Sequence, residues 1–307
     1  MPSKNTLKRL EWFKKGVEAL AYARPDAPRL YCCPICLRGF DNPNILTIED
    51  VPPKSIGGKP LVLTCGVCNN RSGHLLDAHI KTGRDLREIA QGKRDTRIRF
   101  GMDGHTITAN ALFRPGGIYI TGVPENSDPH AHRSLFAKLN EVAATGSKDW
   151  KFSIELIVRH NPWREAVGWL RVAYLYAFAA LGYNFILRPE LNIIREQFQK
   201  PNDRIVPQAM KHTGSPSGNG LSFVYSPTEL RGIIVRLDVN LFFFPAYVEA
   251  STLYDRLASY PSTGQKLTMS GIHIDLPKRP LFEFDYHPSL MLLTVPPEER
   301  PPQLTQR

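Results

Sequence analysis

The chain has 307 residues, 42% of them hydrophobic and 22% charged, a composition that leaves room for two domains of ordinary size and excludes wholesale disorder. Lys and Arg outnumber Asp and Glu by 39 to 29, and the resulting formal charge of +10 favours a polyanionic partner, of which nucleic acid is the commonest. No apolar run is long enough to span a bilayer, the most apolar being Val172 to Gly182, flanked by Arg164 and Arg171.

The first stretch, residues 1–30, reads as a basic amphipathic helix. Leu7, Leu10, Val17 and Leu20 recur at three-to-four spacing, with Lys4, Lys8, Arg9, Lys14 and Lys15 around them. The N-terminus lacks the apolar core of a secretory signal, so a cytoplasmic chain with no membrane partner and reduced cysteines is expected. From 31 to 82 the texture changes to Cys, Pro and Gly, as in a small metal-stapled module.

Residues 96–292 read as a larger mixed domain of unknown role. Thr96 to Val123 alternates apolar and polar residues and breaks at MDG and RPGG, the pattern of a three-stranded meander. A helical stretch ending at Gly146 follows, then the strand-like KFSIELIVRH. Trp163 to Leu181 is a long helix, apolar on nearly every face, which belongs in a core. LSFVYS, RGIIVRLDVNLFFF and KLTMSGIHIDL are strand-like, and the Pro-rich end at 293–307 reads as a disordered tail. The fold class is therefore α+β.

The chemistry concentrates in the second stretch. Cys33-x-x-Cys36 and Cys65-x-x-Cys68 are two pairs separated by 28 residues, each able to present two thiolates to a tetrahedral structural zinc. Cys32 lies next to Cys33 but outside the C-x-x-C spacing. Between the pairs lie two strand-like pieces, ILTIED and LVLT, joined by VPPKSIGGKP; after Cys65 comes a short helix in which Leu75, Leu76 and Ile80 pack inward. Asn69, Gly73 and Asp77 share a face at four-residue spacing.

This order, with CPIC, TIEDVPPKSIGG and LVLTCGVCNN as its landmarks, is similar to the zinc-stapled branch of the HNH endonuclease family, and the likeness covers about 50 of the 307 residues. The resemblance implies an N-terminal ββα-metal module; the residues after it read as a larger mixed α/β domain outside the resemblance. The resemblance also implies metal-dependent hydrolysis of phosphodiester bonds in DNA. By the same resemblance, Glu49 falls on the acidic ligand of a catalytic divalent ion such as Mg, Asn69 on the first helix position of that site, and Asp50 on the place of the general-base histidine.

Asp50 is the departure from the pattern. A carboxylate beside a divalent ion can accept a proton from water, although its reference pKa near 4 suits the task poorly. Alternatively the base is His74 on the helix, one residue past Gly73 and so turned by about 100°. In a third reading hydrolysis is lost, and the zinc-stapled module serves as a nucleic-acid-binding or regulatory protein. A zinc-stabilised interaction module without nucleic acid is a further rival.

Lys54 and Lys59 in the glycine loop are candidate phosphate contacts, or solvated charges. Asp77 and His79 read as surface positions on the short helix. The remaining histidines are dispersed and read as structural or exposed, and Trp169, Tyr174, Tyr176 and Phe178 read as core.

Overall fold

A computed structural model describes residues 3–122, 128–146, 151–213, 218–246, 248–259 and 268–279. The architecture is α+β with antiparallel sheets throughout. The tail at 293–307 lies outside the described residues.

Helix α1 (Lys4–Ala23) starts where the Ser3 side chain accepts a hydrogen bond from the Thr6 amide. Its buried stripe is Trp12, Gly16 and Leu20 at four-residue spacing, whereas Leu7 and Leu10 are exposed. The large indole therefore sets which side of the helix faces inward, so of the apolar spacing Leu20 lies inside while Leu7 and Leu10 lie outside.

Strands β1 (Tyr31–Cys32) and β2 (Gly39–Phe40) pair around the first cysteine turn, which Leu37 closes in a left-handed conformation at φ 56°. Strands β3 (Leu46–Val51) and β4 (Lys59–Cys65) then pair antiparallel, with Leu46 opposite Cys65. In the loop between them Gly57 takes φ +94°. A Cβ on Gly58 would lie 1.4 Å from the Pro52 carbonyl oxygen, so only glycine fits there.

After Cys65 the chain forms helix α2 (Gly66–Ser72), a π turn (Gly73–Asp77) and helix α3 (Ala78–Ala90) without a break. The short helix expected from sequence is thus the start of a much longer one, and its four-residue spacing is interrupted where Gly73 and Asp77 were placed on one face. Such π turns widen the helix locally and recur at functional positions.

Composition and contacts divide the chain differently. Contacts form one compact unit from Met1–Ile80 with Pro162–Arg307, and a second from Lys81–Asn161. The first unit joins the cysteine module to α5 (Pro162–Leu181), α6 (Tyr183–Ile186), α7 (Asn192–Gln199) and α8 (Ala250–Ser259). It also holds a five-stranded sheet in the order β13-β10-β11-β12-β9, namely Ser270–Ile274, Gly220–Ser226, Gly232–Leu237, Asn240–Pro245 and Met210–His212. Helix α5 is buried on nearly all sides, as its apolar run predicts, because the module and the sheet both pack on it.

Hydrogen bonds explain why the module does not close on itself. The Tyr174 hydroxyl donates to the Pro34 carbonyl at 2.8 Å, Tyr176 to Val51 at 3.1 Å and Tyr183 to Cys32 at 3.0 Å. Three phenols of α5 and α6 thereby satisfy carbonyls that the short strands of the module leave unpaired.

The second unit is a four-stranded antiparallel sheet, β7-β6-β5-β8, built from Gly117–Gly122, His105–Arg114, Thr96–Met102 and Phe152–Leu156. The expected meander is β5 to β7. Its first turn carries Asp103 at φ 48° and Gly104 at φ 80°, the paired positive values of a type I′ hairpin. Helix α4 (Pro129–Thr145) packs on β6 and ends at Gly146 in the left-handed region.

Candidate metal centre and the Glu49 site

The two cysteine pairs meet although 28 residues separate them. One sulfur from each of Cys33, Cys36, Cys65 and Cys68 lies within 4.8 Å of the other three. Cys36 Sγ and Cys65 Sγ are 3.8 Å apart, about the edge of a sulfur tetrahedron around zinc with bonds of about 2.3 Å. The Cys65 amide donates to Cys33 Sγ at 3.4 Å, a backbone bond that favours a thiolate.

The thiols perturb one another strongly. Hydrogen bonding from Cys33 lowers Cys36 to about 2 and Cys65 to about 6, while Cys33 itself, sharing its proton with Cys36 and the others, is driven far up. Four sulfurs in this space are a donor set that a soft divalent cation suits, and these residues can hold a structural metal such as zinc.

Glu49 occupies different surroundings from those the resemblance implies. The register of β3 against β4 shifts between Glu49, opposite Val62, and Asp50, opposite Pro60, with Leu61 as the extra residue. The bulge turns Glu49 inward, to 3% exposure, and leaves Asp50 partly exposed.

Inside, both Glu49 oxygens are engaged. Oε2 accepts from the Thr64 hydroxyl at 2.9 Å, and Oε1 lies 3.0 Å from Arg171 Nη2. Arg171 comes from α5 and is 1% exposed. Its Nη1 lies 3.8 Å from Asp77 Oδ1, so Asp77 is a half-buried partner of this cation and not the surface position read from sequence. Burial works against the Arg171 charge, yet Glu49 and Asp77 overcome it and hold its pKa above the ordinary value.

These residues do not fit the catalytic divalent ion that the resemblance implies. A fully buried guanidinium stands against Glu49; of the buried polar atoms there without a hydrogen-bond partner, Arg171 Nε and Nη2 are donors, and the acceptor, Asp77 Oδ1, already faces the same guanidinium at 3.8 Å. Asn69 is also engaged, its amide donating to Thr47 Oγ1 at 2.9 Å. Among the described residues the four cysteines form the one cluster of three or more His, Cys, Asp or Glu side chains with metal-binding geometry.

The candidate bases lie apart in character. Burial raises the Asp50 carboxyl above its ordinary value, with Glu49 adding to the rise and Lys54 and Lys8 opposing it. His74 is exposed within the π turn. Lys54 and Lys59 are both exposed. What sequence reasoning missed at this site is Arg171 and its buried pairing with Glu49 and Asp77. An arginine in the apolar body of a core helix, two turns past the charged first turn, was the available signal, because such a charge requires a buried acid.

Asp77 gives a test of this electrostatic arrangement. Burial raises its carboxyl, with Arg171 opposing and Glu49 adding to the shift. A carboxyl raised in the folded state takes up a proton there before it does in the unfolded chain. Stability therefore rises as pH falls toward the raised value and declines as pH rises through it. Urea midpoints between pH 7 and pH 4 should show the wild type gaining on Asp77→Asn as the solution becomes more acid. A constant difference would assign Asp77 no titrating role.

Compared with known proteins, the chain matches no family model, no curated protein and no solved structure. No described helix is long and apolar enough to cross a membrane.

Proposed function

We propose that this chain is a zinc-stapled ββα module that binds nucleic acid, through phosphate, without hydrolysing it, and that the metal-binding half of the endonuclease site has been replaced by an internal cation. The observation that carries this reading is the pair Glu49–Arg171, at 3.0 Å and shielded from solvent. A charge already neutralised inside the protein has little left to offer a hydrated ion. The formal charge of +10 supports a phosphate partner, and Lys8 and Lys54 both act electrostatically on Asp50 at the rim of the site.

The test combines binding and cleavage. Anisotropy of a labelled DNA duplex should show affinity that falls by about fortyfold between 50 and 200 mM salt if Lys8, Lys54 and Lys59 each neutralise one phosphate. Lys54→Ala together with Lys59→Ala should flatten that slope. Supercoiled plasmid with Mg, Mn or Ni should stay intact. Nicking that is lost in Asp50→Ala or His74→Ala would overturn the reading in favour of metal-dependent hydrolysis. Absence of salt-dependent binding to DNA or RNA would leave a zinc-stabilised protein-interaction module.

A further inference from the structure

The first unit contains a concave site that neither the cysteine cluster nor the Glu49–Arg171 pair uses. It has a volume of about 450 Å³ and lies between the loop joining β3 to β4 and the run Asp275–Lys278 that follows β13. Strand pairing explains the meeting. With Leu221 of β10 opposite Ile274 of β13, Asn219 stands beside the residues just past Ile274. Glycine keeps the space open: Gly57 and Gly58 line it as bare backbone, the first at φ +94° and the second against the Pro52 carbonyl oxygen, so a side chain is disfavoured at both. Tyr176 lines it too, its hydroxyl donating to the Val51 carbonyl at 3.1 Å.

The lining carries charges of both signs beside an apolar wall. Pro52, Pro60, Leu61, Leu276 and Pro277 form that wall, while Lys59, Lys278, Asp275 and Asn219 bring polar groups into the same space. Two cations against one carboxylate favour an anionic ligand, and the wall favours one with an uncharged body. Asp275 adds an acceptor. Asn219 Oδ1 accepts from the Asp238 amide at 2.7 Å, and its NH2 group is a donor. A fatty acid leaves Asp275 unmatched, a sugar phosphate leaves the prolines and leucines unmatched, and inorganic phosphate leaves both unmatched. A nucleotide meets every one of these groups: its phosphate suits the lysines, its base faces the apolar wall, an exocyclic amino group suits the carboxylate and a ring nitrogen or carbonyl suits the amide.

We infer that this site binds one nucleotide, with its phosphate on Lys59 and Lys278 and the amino-bearing edge of an adenine, cytosine or guanine base on Asp275 and Asn219. The site begins at Val51, the residue after Asp50, and so adjoins the rim to which the phosphate contacts are assigned. It rests on the nucleic-acid reading only for the source of the nucleotide, which is either an unstacked residue of a bound strand or a free nucleotide.

Calorimetric titration of the full chain with AMP, CMP, GMP and UMP, and with inorganic phosphate, tests this. Saturable binding of at least one amino-bearing nucleotide at one molecule per chain is expected, about tenfold tighter than UMP, whose base has no amino group to give Asp275. Asp275→Asn, which offers both a donor and an acceptor, should remove that preference. Lys278→Glu should weaken all four nucleotides about tenfold. Both positions are exposed, so the circular dichroism should not change. Displacement of the nucleotide by a single-stranded or duplex DNA would assign it to a strand, and simultaneous binding would make it a free nucleotide. No saturable binding of any nucleotide, or binding that both variants leave unchanged, would overturn the inference, and salt-dependent binding of the duplex in the same chain would leave the nucleic-acid reading standing. Inorganic phosphate bound as tightly as the nucleotides would also overturn it, leaving an anion contact without a base site.

Discussion

Replacing Cys65 by serine is expected to eliminate bound zinc and to unfold the first unit. Structural zinc bound by a cysteine set contributes on the order of 10–16 kcal/mol, which is comparable with the whole stability of about 5–15 kcal/mol of an ordinary domain. Cys65 is placed to transmit that loss. It ends β4, caps α2, and lies 3.8 Å from Cys36 across the module. With the four thiols released from a common cation, β1, β2 and the first turn of α2 have little else in common. The phenols of α5 and α6 then lose the carbonyls they hold.

Metal content by mass spectrometry and the far-UV spectrum check this together. Cys32→Ser is the control, because Cys32 is buried next to Cys33 yet belongs to a different environment. Its sulfur lies outside the cluster of four and is directed at the Cys33 carbonyl oxygen instead. Zinc retained in Cys32→Ser and lost in Cys65→Ser establishes the four-cysteine site. Zinc retained in both would refute it.

The parts of this structure that were legible in the sequence are those governed by local spacing. The C-x-x-C pairs assemble because each needs one tight turn, and the two strands between them bring the turns together. The alternation from Thr96 to Val123 and the Asp103-Gly104 turn specify a meander without outside help. The all-round apolar character of α5 announced a core helix. What escaped sequence reasoning depends on residues far apart in the chain. Arg171 lies 122 positions beyond Glu49, and nothing local to either residue links them. The bulge that turns Glu49 inward lies in the register of two strands, which hydrophobic alternation does not report. The grouping of 1–80 with 162–307 comes from a shared core, and among its links are the hydroxyls of Tyr174 and Tyr176, which read as core aromatics, and of Tyr183, polar ends that have no signature in sequence.

Arg171→Met is expected to destabilise the first unit by about 3–5 kcal/mol, because it removes the counter-charge and leaves the Glu49 carboxylate buried with only the Thr64 hydroxyl. The side chain it introduces is unbranched and apolar, so it fills most of the guanidinium's path through the core. Loss of packing is therefore the smaller part of the effect. Combining it with Glu49→Gln separates the two contributions. Glutamine keeps an oxygen for Thr64 and carries no charge, so the double variant should recover most of the loss, and chemical denaturation of the four chains gives the coupling directly. Recovery would show that the ion pair is a matched set whose members cannot be removed singly. A double variant as unstable as Arg171→Met alone would mean that the arginine acts through its contacts with α5 and the π turn, and that Glu49 is tolerated as an isolated acid. The same Arg171→Met chain bears on function, provided it remains folded at low temperature. With its internal cation gone, Glu49 becomes the acid that the endonuclease pattern provides, and a gain of Mg-dependent plasmid nicking in this variant alone would identify Arg171 as the residue that holds the site inactive.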